Sequence, residues 1–216
     1  MLERPTAMDG DFELLTAWQA GDDEAGDALV RRHFWGVYRF FRNKVDEAAE
    51  DLAQRTFLAC VEARDRVRAE LSFRAYLFGI ARNQLSLYFR GHQRSAQLFR
   101  PAETSVADIR GQPDRPLADR QEQQALLLAL RRIPIDFQIA LELYYWEELS
   151  VSEVAAVLDV PTGTVKSRLG RARRQLREQL EAMALPNATL ESTLSDLEQW
   201  ARSLRELGRP RENSSS

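Results

Sequence analysis

The stretch "VPTGTVKSRLGRARRQLREQL", residues 160–180, carries six basic side chains, Lys166, Arg168, Arg171, Arg173, Arg174 and Arg177, against one carboxylate, Glu178. At about 100° per residue, Val165, Leu169, Ala172, Leu176 and Leu180 fall on one stripe of a helix. Lys166, Ser167, Gly170, Arg171, Arg174 and Arg177 take the opposite arc, and Arg168 and Arg173 flank the stripe. Just upstream, Ser150 with Glu153 three residues later reads as a capping box that starts a helix at "VSEVAAVL". That helix stops at "DVPTG", where Pro161 cannot continue a helix but can open the next one, and Gly163 loosens the turn. Two helices across a short turn, the second cationic on its outward arc, make a helix-turn-helix. A basic helix can be no more than a solvated surface. The cap, the turn and the single sign of the arc favour a face that enters the DNA major groove, where Arg and Lys pair with guanine edges or hold phosphates.

The periodicity is helical almost everywhere else too, with no alternating strand pattern, so the chain is expected to be all-α. Upstream of the helix-turn-helix, "QEQQALLLALRRI" and "DFQIALELYYWEE" are helical and separated by Pro134, completing a second domain of four short helices over 119–183. Before it, residues 96–118 lose periodicity and gather Pro101, Gly111, Pro113 and Pro116, the composition of a flexible linker. The first domain, 11–95, holds "ALVRRHFWGVYRFFRNKV", whose Val30, Phe34, Val37, Phe41 and Val45 share one face. A second helix begins near Asp46, and a strongly aromatic third covers "FRAYLFGIARNQLSLYFR". Residues 1–10 are expected to be disordered. In the extension 184–216, Leu190, Leu194, Leu197, Ala201, Leu204 and Trp200 give a last amphipathic helix one apolar face, ending near Gly208 before a disordered "RPRENSSS". That helix either packs on a domain or a partner to regulate access to DNA, or adds core to the second domain.

With 216 residues and 44% hydrophobic side chains, two small cores are affordable. The formal net charge of −3 means that a nucleic-acid role must come from local segregation of charge. Cys60 stands alone, which excludes a disulfide framework or cysteine metal cluster and fits a reducing compartment. No stretch approaches the ~20 apolar residues of a membrane span and no apolar leader opens the chain, so a cytoplasmic protein is expected. His33 and His92 are far apart with no partner at ligand spacing, and there is no phosphate-cradling glycine loop. No catalytic residue, metal site or cofactor is expected; His33 reads as a partly buried helix histidine.

Between Phe73 and Arg100 stand Arg74, Arg82, Arg90, Arg94 and Arg100 with Phe73, Tyr76, Phe78, Tyr88, Phe89 and Phe99, and no Asp or Glu. Arginines that neutralise backbone charge and rings that stack on unpaired bases suit melted DNA, at ~1–3 kcal/mol per stacked base. About half of these rings are expected in the core.

The segment "ELSVSEVAAVLDVPTGTVKSRLGRARRQLREQL" resembles the promoter-reading helix-turn-helix of bacterial RNA polymerase sigma factors of the extracytoplasmic-function group, with "GTVKSRL" followed by "RAR" as its specific signature. Upstream, "EDLAQRTFLACVEA" and "FRAYLFGIARNQL" resemble that family's first conserved domain, so the likeness runs over about residues 11–183. It implies an initiation factor with two DNA-reading domains, region 2 and region 4, whose partners are core RNA polymerase, through its clamp coiled coil and flap, and promoter DNA, both duplex and melted. In "EDLAQRTF" the stripe Ala53, Phe57 and Cys60 leaves Asp51 and Gln54 together on an exposed face. By itself that is an ordinary solvated face; the resemblance makes Asp51, Gln54, Arg55 and Leu58 the clamp-docking residues. It likewise assigns the melted minus-10 element to Phe73, Arg74, Tyr76, Arg82, Asn83 and Arg90, with Asn83 in the pocket for a flipped base, where an amide offers donor and acceptor. The duplex minus-35 element falls to Thr164, Lys166, Ser167, Gly170, Arg171, Arg174 and Arg177, with Arg174 and Arg177 better suited to phosphates. The linker would thread between the domains near the polymerase active-site and RNA-exit channels.

The chain departs from the family pattern at Leu87, where many relatives carry a carboxylate, at Val67, near an aromatic position, and at Gly170, where a larger side chain is common. A near-neutral total suits a factor that should not bind DNA alone, a restraint that contact between the domains or an anti-sigma partner would supply. Two other functions fit parts of the pattern. A stand-alone DNA-binding regulator would tolerate Asp51→Ala and Gln54→Ala, and a protein-interaction adaptor would tolerate neutralising Lys166 and Arg171.

Overall fold

The structure, a computed structural model, describes residues 8–66, 72–92, 105–106 and 121–183, and every regular element among them is helical. The N-terminal group comprises α1 (Met8–Gln19), α2 (Asp23–Val45), α3 (Ala49–Glu62), reached through a 3-10 turn at Asp46–Ala48, and α4 (Phe73–His92). The C-terminal group comprises α5 (Gln121–Arg132), α6 (Ile135–Leu141), α7 (Val151–Leu158) and α8 (Thr162–Ala182). The architecture is all-α, two helical domains packed side by side with α4 lying against α7. The proposed helix of 184–216 and most of 96–118 lie outside the described residues. Within the latter, Val106 is fully buried and Ser105 forms a bridge to Pro134, so the chain is pinned to the second domain at that point.

Leu29, Val37, Phe41 and Val45 of α2 are buried against Leu52, Ala53 and Cys60 of α3 and Leu77, Phe78, Ala81, Leu85 and Phe89 of α4. Val30 and Phe34, at the N-terminal end of the same α2 stripe, are only half buried. Burial of each large side chain contributes about 1.5–3 kcal/mol, which fixes these amphipathic helices where propensity alone would not. Cys60 is 1% exposed, and burial pushes its thiol up to about 12. Between α1 and α2 the chain reverses at Gly21, whose φ of +102° suits a residue without a side chain, and Asp22 Oδ1 then accepts from the Glu24 and Ala25 amides to cap α2. At Gly26 a methyl group would stand 2.5 Å from Trp18 Nε1, so glycine lets α1 and α2 touch. Asp11 secures the same pair: His33 Nε2 lies 2.8 Å from one carboxylate oxygen and Arg32 Nη1 donates to the other at 2.6 Å.

In the second domain α6 is buried along its whole length and runs into a π-helical turn at Glu142–Trp146. The capping box of α7 forms in full: the Glu153 amide donates to Ser150 Oγ at 3.2 Å and the Ser150 amide to Glu153 Oε2 at 2.7 Å. Asp159 ends α7 with a φ of +53°, the left-handed turn that an Asp tolerates, and Pro161 stands as N-cap of α8. The fourth helix is not short; α8 has 21 residues.

Candidate nucleic-acid interface

On α8 the five stripe residues Val165, Leu169, Ala172, Leu176 and Leu180 are all buried, so the helix has one fixed rotation. Lys166, Ser167, Gly170, Arg171, Arg174 and Arg177 are all exposed on the other side, while Thr164 is half buried. The Ser167 hydroxyl donates to the Thr164 carbonyl at 2.9 Å, the short back-bond of a serine in a first turn. Arg174 lies 3.9 Å from Glu178, but both are well exposed and such a pair restrains little. The arc is therefore available to an outside anion. The flanking arginines are engaged: Arg173 Nη1 donates to Tyr145 Oη at 3.4 Å, and Arg168 turns inward to Asp136 at 3.0 Å.

Gly170 sits in the middle of that arc, and a Cβ there would meet nothing within 4 Å. The fold does not require a glycine at this position. Gly170→Ala is expected to stabilise the protein by about 0.5–1 kcal/mol through helix propensity, measured by thermal unfolding. If the gap serves close approach to DNA, the same variant binds duplex more weakly despite its stability.

The α4 residues separate into three environments. Asn83 and Arg90 are exposed about two turns apart, with Leu87 between them at 56% exposure. Arg74 and Arg82 point into the seam between the domains, 3.7 Å from Glu147 and 3.7 Å from Asp136 respectively. Phe73 is a core residue rather than a base platform: its ring is 4% exposed and stands 5.5 Å from the His33 ring, because it opens α4 on the helix face that meets α2. Tyr76 is half buried and donates from its hydroxyl to the Ala63 carbonyl at 3.3 Å. Phe78 and Phe89 are core, Tyr88 is half buried, and Arg94, Phe99, Arg100 and Val67 lie outside the described residues.

On α3, Asp51, Gln54, Arg55 and Leu58 share the exposed face. Arg55 grips Asp51 from the next turn through two contacts, 3.1 Å at Nε and 2.9 Å at Nη2. Leu58 is 60% exposed, and Val61, absent from the sequence reading, adds a second apolar side chain at 42%. The face therefore presents two apolar side chains beside a charged pair.

Sequence reasoning missed the seam. There, Lys44 is fully buried and its ammonium donates to the Phe40 carbonyl at 2.6 Å and to Glu142 across the domain boundary. Burial, with the nearby Arg131 guanidinium adding to it, holds the Lys44 ammonium below its ordinary range although Glu142 and Glu147 pull it up. Arg39 Nη2 donates to Glu147 Oε1 at 3.2 Å, and Arg131 Nη1 to the Asn43 carbonyl at 2.8 Å. The Ser72 hydroxyl, which also caps α4 at the Ala75 amide, donates to Glu153. Burial raises the Glu153 carboxyl, but hydrogen bonds from Ser72 and Ser150, with Arg74 nearby, outweigh it and hold the group below the ordinary glutamate range. One signal was present in the sequence: Asp136, Glu142 and Glu147 interrupt an otherwise apolar run and needed buried partners. Among the described residues no group of three His, Cys, Asp or Glu side chains could hold a metal ion, and no helix is long and apolar enough to cross a membrane.

Comparison with known proteins identifies the family. Residues 28–95 match the model of Sigma-70 region 2 and residues 123–176 that of Sigma-70 region 4, together more than half of the chain. The RNA polymerase sigma-H factor of Pseudomonas aeruginosa is 28% identical over 185 residues, covering 80% of this chain and 95% of that protein. The ECF RNA polymerase sigma-E factor of Escherichia coli K12 is 27% identical over 187 residues, with the same coverage of 80% and 95%. Among solved structures, the sigma factor RpoE of Bartonella quintana in complex with the anti-sigma factor NepR superimposes with a TM-score of 0.56 at 26% identity, over 72% of this chain and 96% of that one. CnrH in complex with the cytosolic domain of CnrY has the same fold, with a TM-score of 0.58 at 24% identity over 81% and 99%.

Proposed function

The chain belongs to the sigma-70 family, in its extracytoplasmic-function branch, and directs promoter recognition and transcription initiation; from that premise we propose how its residues divide the work. The N-terminal domain, 11–95, docks on the clamp coiled coil of core polymerase through Asp51, Gln54, Arg55 and Leu58, with Val61 extending the contact. Leu58 and Val61 supply buried apolar area, while the Asp51–Arg55 pair sets the register. On the same domain, Arg74, Arg82 and Arg90 hold the backbone of the melted minus-10 strand, Tyr76 lends an aromatic edge, and Asn83 reads a flipped base. The C-terminal domain, 119–183, meets the polymerase flap and lays α8 in the major groove of the minus-35 element. Lys166, Ser167 and Arg171 lie nearest the base edges, Thr164 steadies the first turn, Gly170 leaves room, and Arg174 and Arg177 take phosphates.

The observation that carries this reading is the rotation of α8, which buries its whole apolar stripe and leaves a continuous exposed arc without a carboxylate from Lys166 to Arg177. The sigma factor RpoE of Bartonella quintana is solved in complex with the anti-sigma factor NepR, and an anti-sigma partner fits this chain as well. Its place of action is the cytoplasm, where polymerase works.

In vitro transcription with core polymerase and a random promoter library tests the reading. The wild-type protein is expected to direct initiation at a defined pair of elements, and Asp51→Ala with Gln54→Ala to reduce it about five- to thirtyfold, from roughly 1–2 kcal/mol of lost docking energy. Absence of promoter-directed initiation by the wild type would refute it.

A further inference from the structure

The side of α4 that faces solvent is narrow. Between Phe73 and Gly91 its exposed residues are Asn83, Leu87, Arg90 and Gly91, whose successive spacings place them on a single stripe. Leu87 stands in the middle of that stripe at 56% exposure. Asn83 lies one turn before it and Arg90 one turn after it, and the helix contains no Asp or Glu. Arg90 Nε donates to the Ser86 carbonyl at 3.3 Å, which lays its side chain back along the turn that carries Leu87. Three other large apolar side chains are exposed among the described residues, Phe12 on α1 and Leu58 and Val61 on α3. A scattered exposed leucine is ordinary on a protein surface. Leu87 differs from the other three in lying between an amide and a guanidinium, the two kinds of group that hold a base edge and a phosphate.

We infer that Leu87 selects thymine in the melted minus-10 strand, by packing on the 5-methyl group of the base whose edge Asn83 holds. The inference rests on the proposed assignment of α4 to melted DNA and deepens it. Thymine presents N3–H beside O4, a donor next to an acceptor, and the Asn83 amide answers both. An amide turned over meets the reversed edge of cytosine equally well, so Asn83 alone does not choose between the two pyrimidines. The methyl group is the apolar mark that separates thymine from the other bases, and it stands on the ring carbon next to the one that bears O4. Asn83 and Arg90 are seven residues apart, about 10 Å of helix, a span that one nucleotide covers from base edge to phosphate. With the base on Asn83 and its phosphate on Arg90, the methyl group meets the side chain between them. Moving one methyl group out of water onto a leucine is worth about fourfold in affinity.

The test uses holoenzyme assembled from the full chain and core polymerase, on a promoter recovered from the random library. The minus-10 segment is mismatched so that its strand is already unpaired, and deoxyuridine replaces thymidine at one position of that segment at a time. Binding of each labelled promoter is titrated for wild type, Leu87→Ala and Leu87→Met. At one position the wild type is expected to bind the uracil strand about fourfold more weakly than the thymine strand. Leu87→Ala is expected to bind the two strands within about 1.5-fold of each other, and Leu87→Met, which keeps an apolar side chain of similar volume, to retain most of the discrimination. Leu87 is exposed, so both variants keep the fold, and the ratio of the two strands for one protein cancels any loss common to them. A recovered minus-10 element without thymine, uracil tolerated by the wild type at every position, or discrimination that survives Leu87→Ala each overturns the proposal. Failed initiation by the wild type across the whole library refutes the sigma assignment, whereas normal initiation with indifference to the methyl group refutes only the role of Leu87.

Discussion

Replacing Lys44 with methionine is expected to lower stability by about 3–5 kcal/mol, measured by chemical unfolding, because Glu142 is then left in the seam without its cation. Glu142 keeps one hydrogen bond, from Gln138 Nε2 at 2.8 Å, which does not neutralise its charge. Glu142→Leu alone strands the ammonium of Lys44, which is 0% exposed, and is expected to cost a similar amount. The double variant recovers most of the loss, since an apolar pair of matched volume replaces a buried ion pair at little cost. A single variant that unfolds like the wild type would show that the pair carries no net energy. The cheapest relief for the stranded Glu142 is for the domains to part, which returns it to water. Expansion by scattering is therefore expected before loss of helix by circular dichroism.

The second large effect falls on function alone. Lys166→Glu with Arg171→Glu places two carboxylates on the open arc of α8. At about 1–3 kcal/mol for each lost base or phosphate contact, promoter-directed transcription is expected to fall about 100-fold or more. Both residues are exposed and, among the described residues, neither forms an ion pair across the seam, so stability should move by no more than about 0.5 kcal/mol. A fall in stability of several kcal/mol, or transcription that survives, would remove α8 from the minus-35 element.

Local order in this chain is legible because it is periodic. The α8 stripe, the capping box at Ser150 and Glu153 and the exposed pair Asp51 and Gln54 all depend on neighbours within a few residues, where spacing determines which face a side chain takes. The seam could not be read that way. Lys44 and Glu142 are 98 positions apart, Arg39 and Glu147 108 apart, and no local pattern encodes such pairings. Phe73 shows the limit within a single helix: alternation of arginine with aromatic rings marked α4 as cationic, but which rings face inward depends on where α2 lies. The same holds for Arg168, counted as a flank of the recognition helix by its angle and drawn inward by Asp136 from another element.

The lone thiol offers a way to watch one part of this molecule without the other. Cys60 sits in the N-terminal core on α3, away from the seam, with its thiol pushed up to about 12. At neutral pH almost none of it is thiolate, so it cannot be alkylated or oxidised from the folded state at an appreciable rate. Its labelling rate becomes a clock for rupture of the first domain alone, indifferent to the two domains swinging apart. A protein that expands in solution while Cys60 stays silent has opened at its hinge with both halves intact.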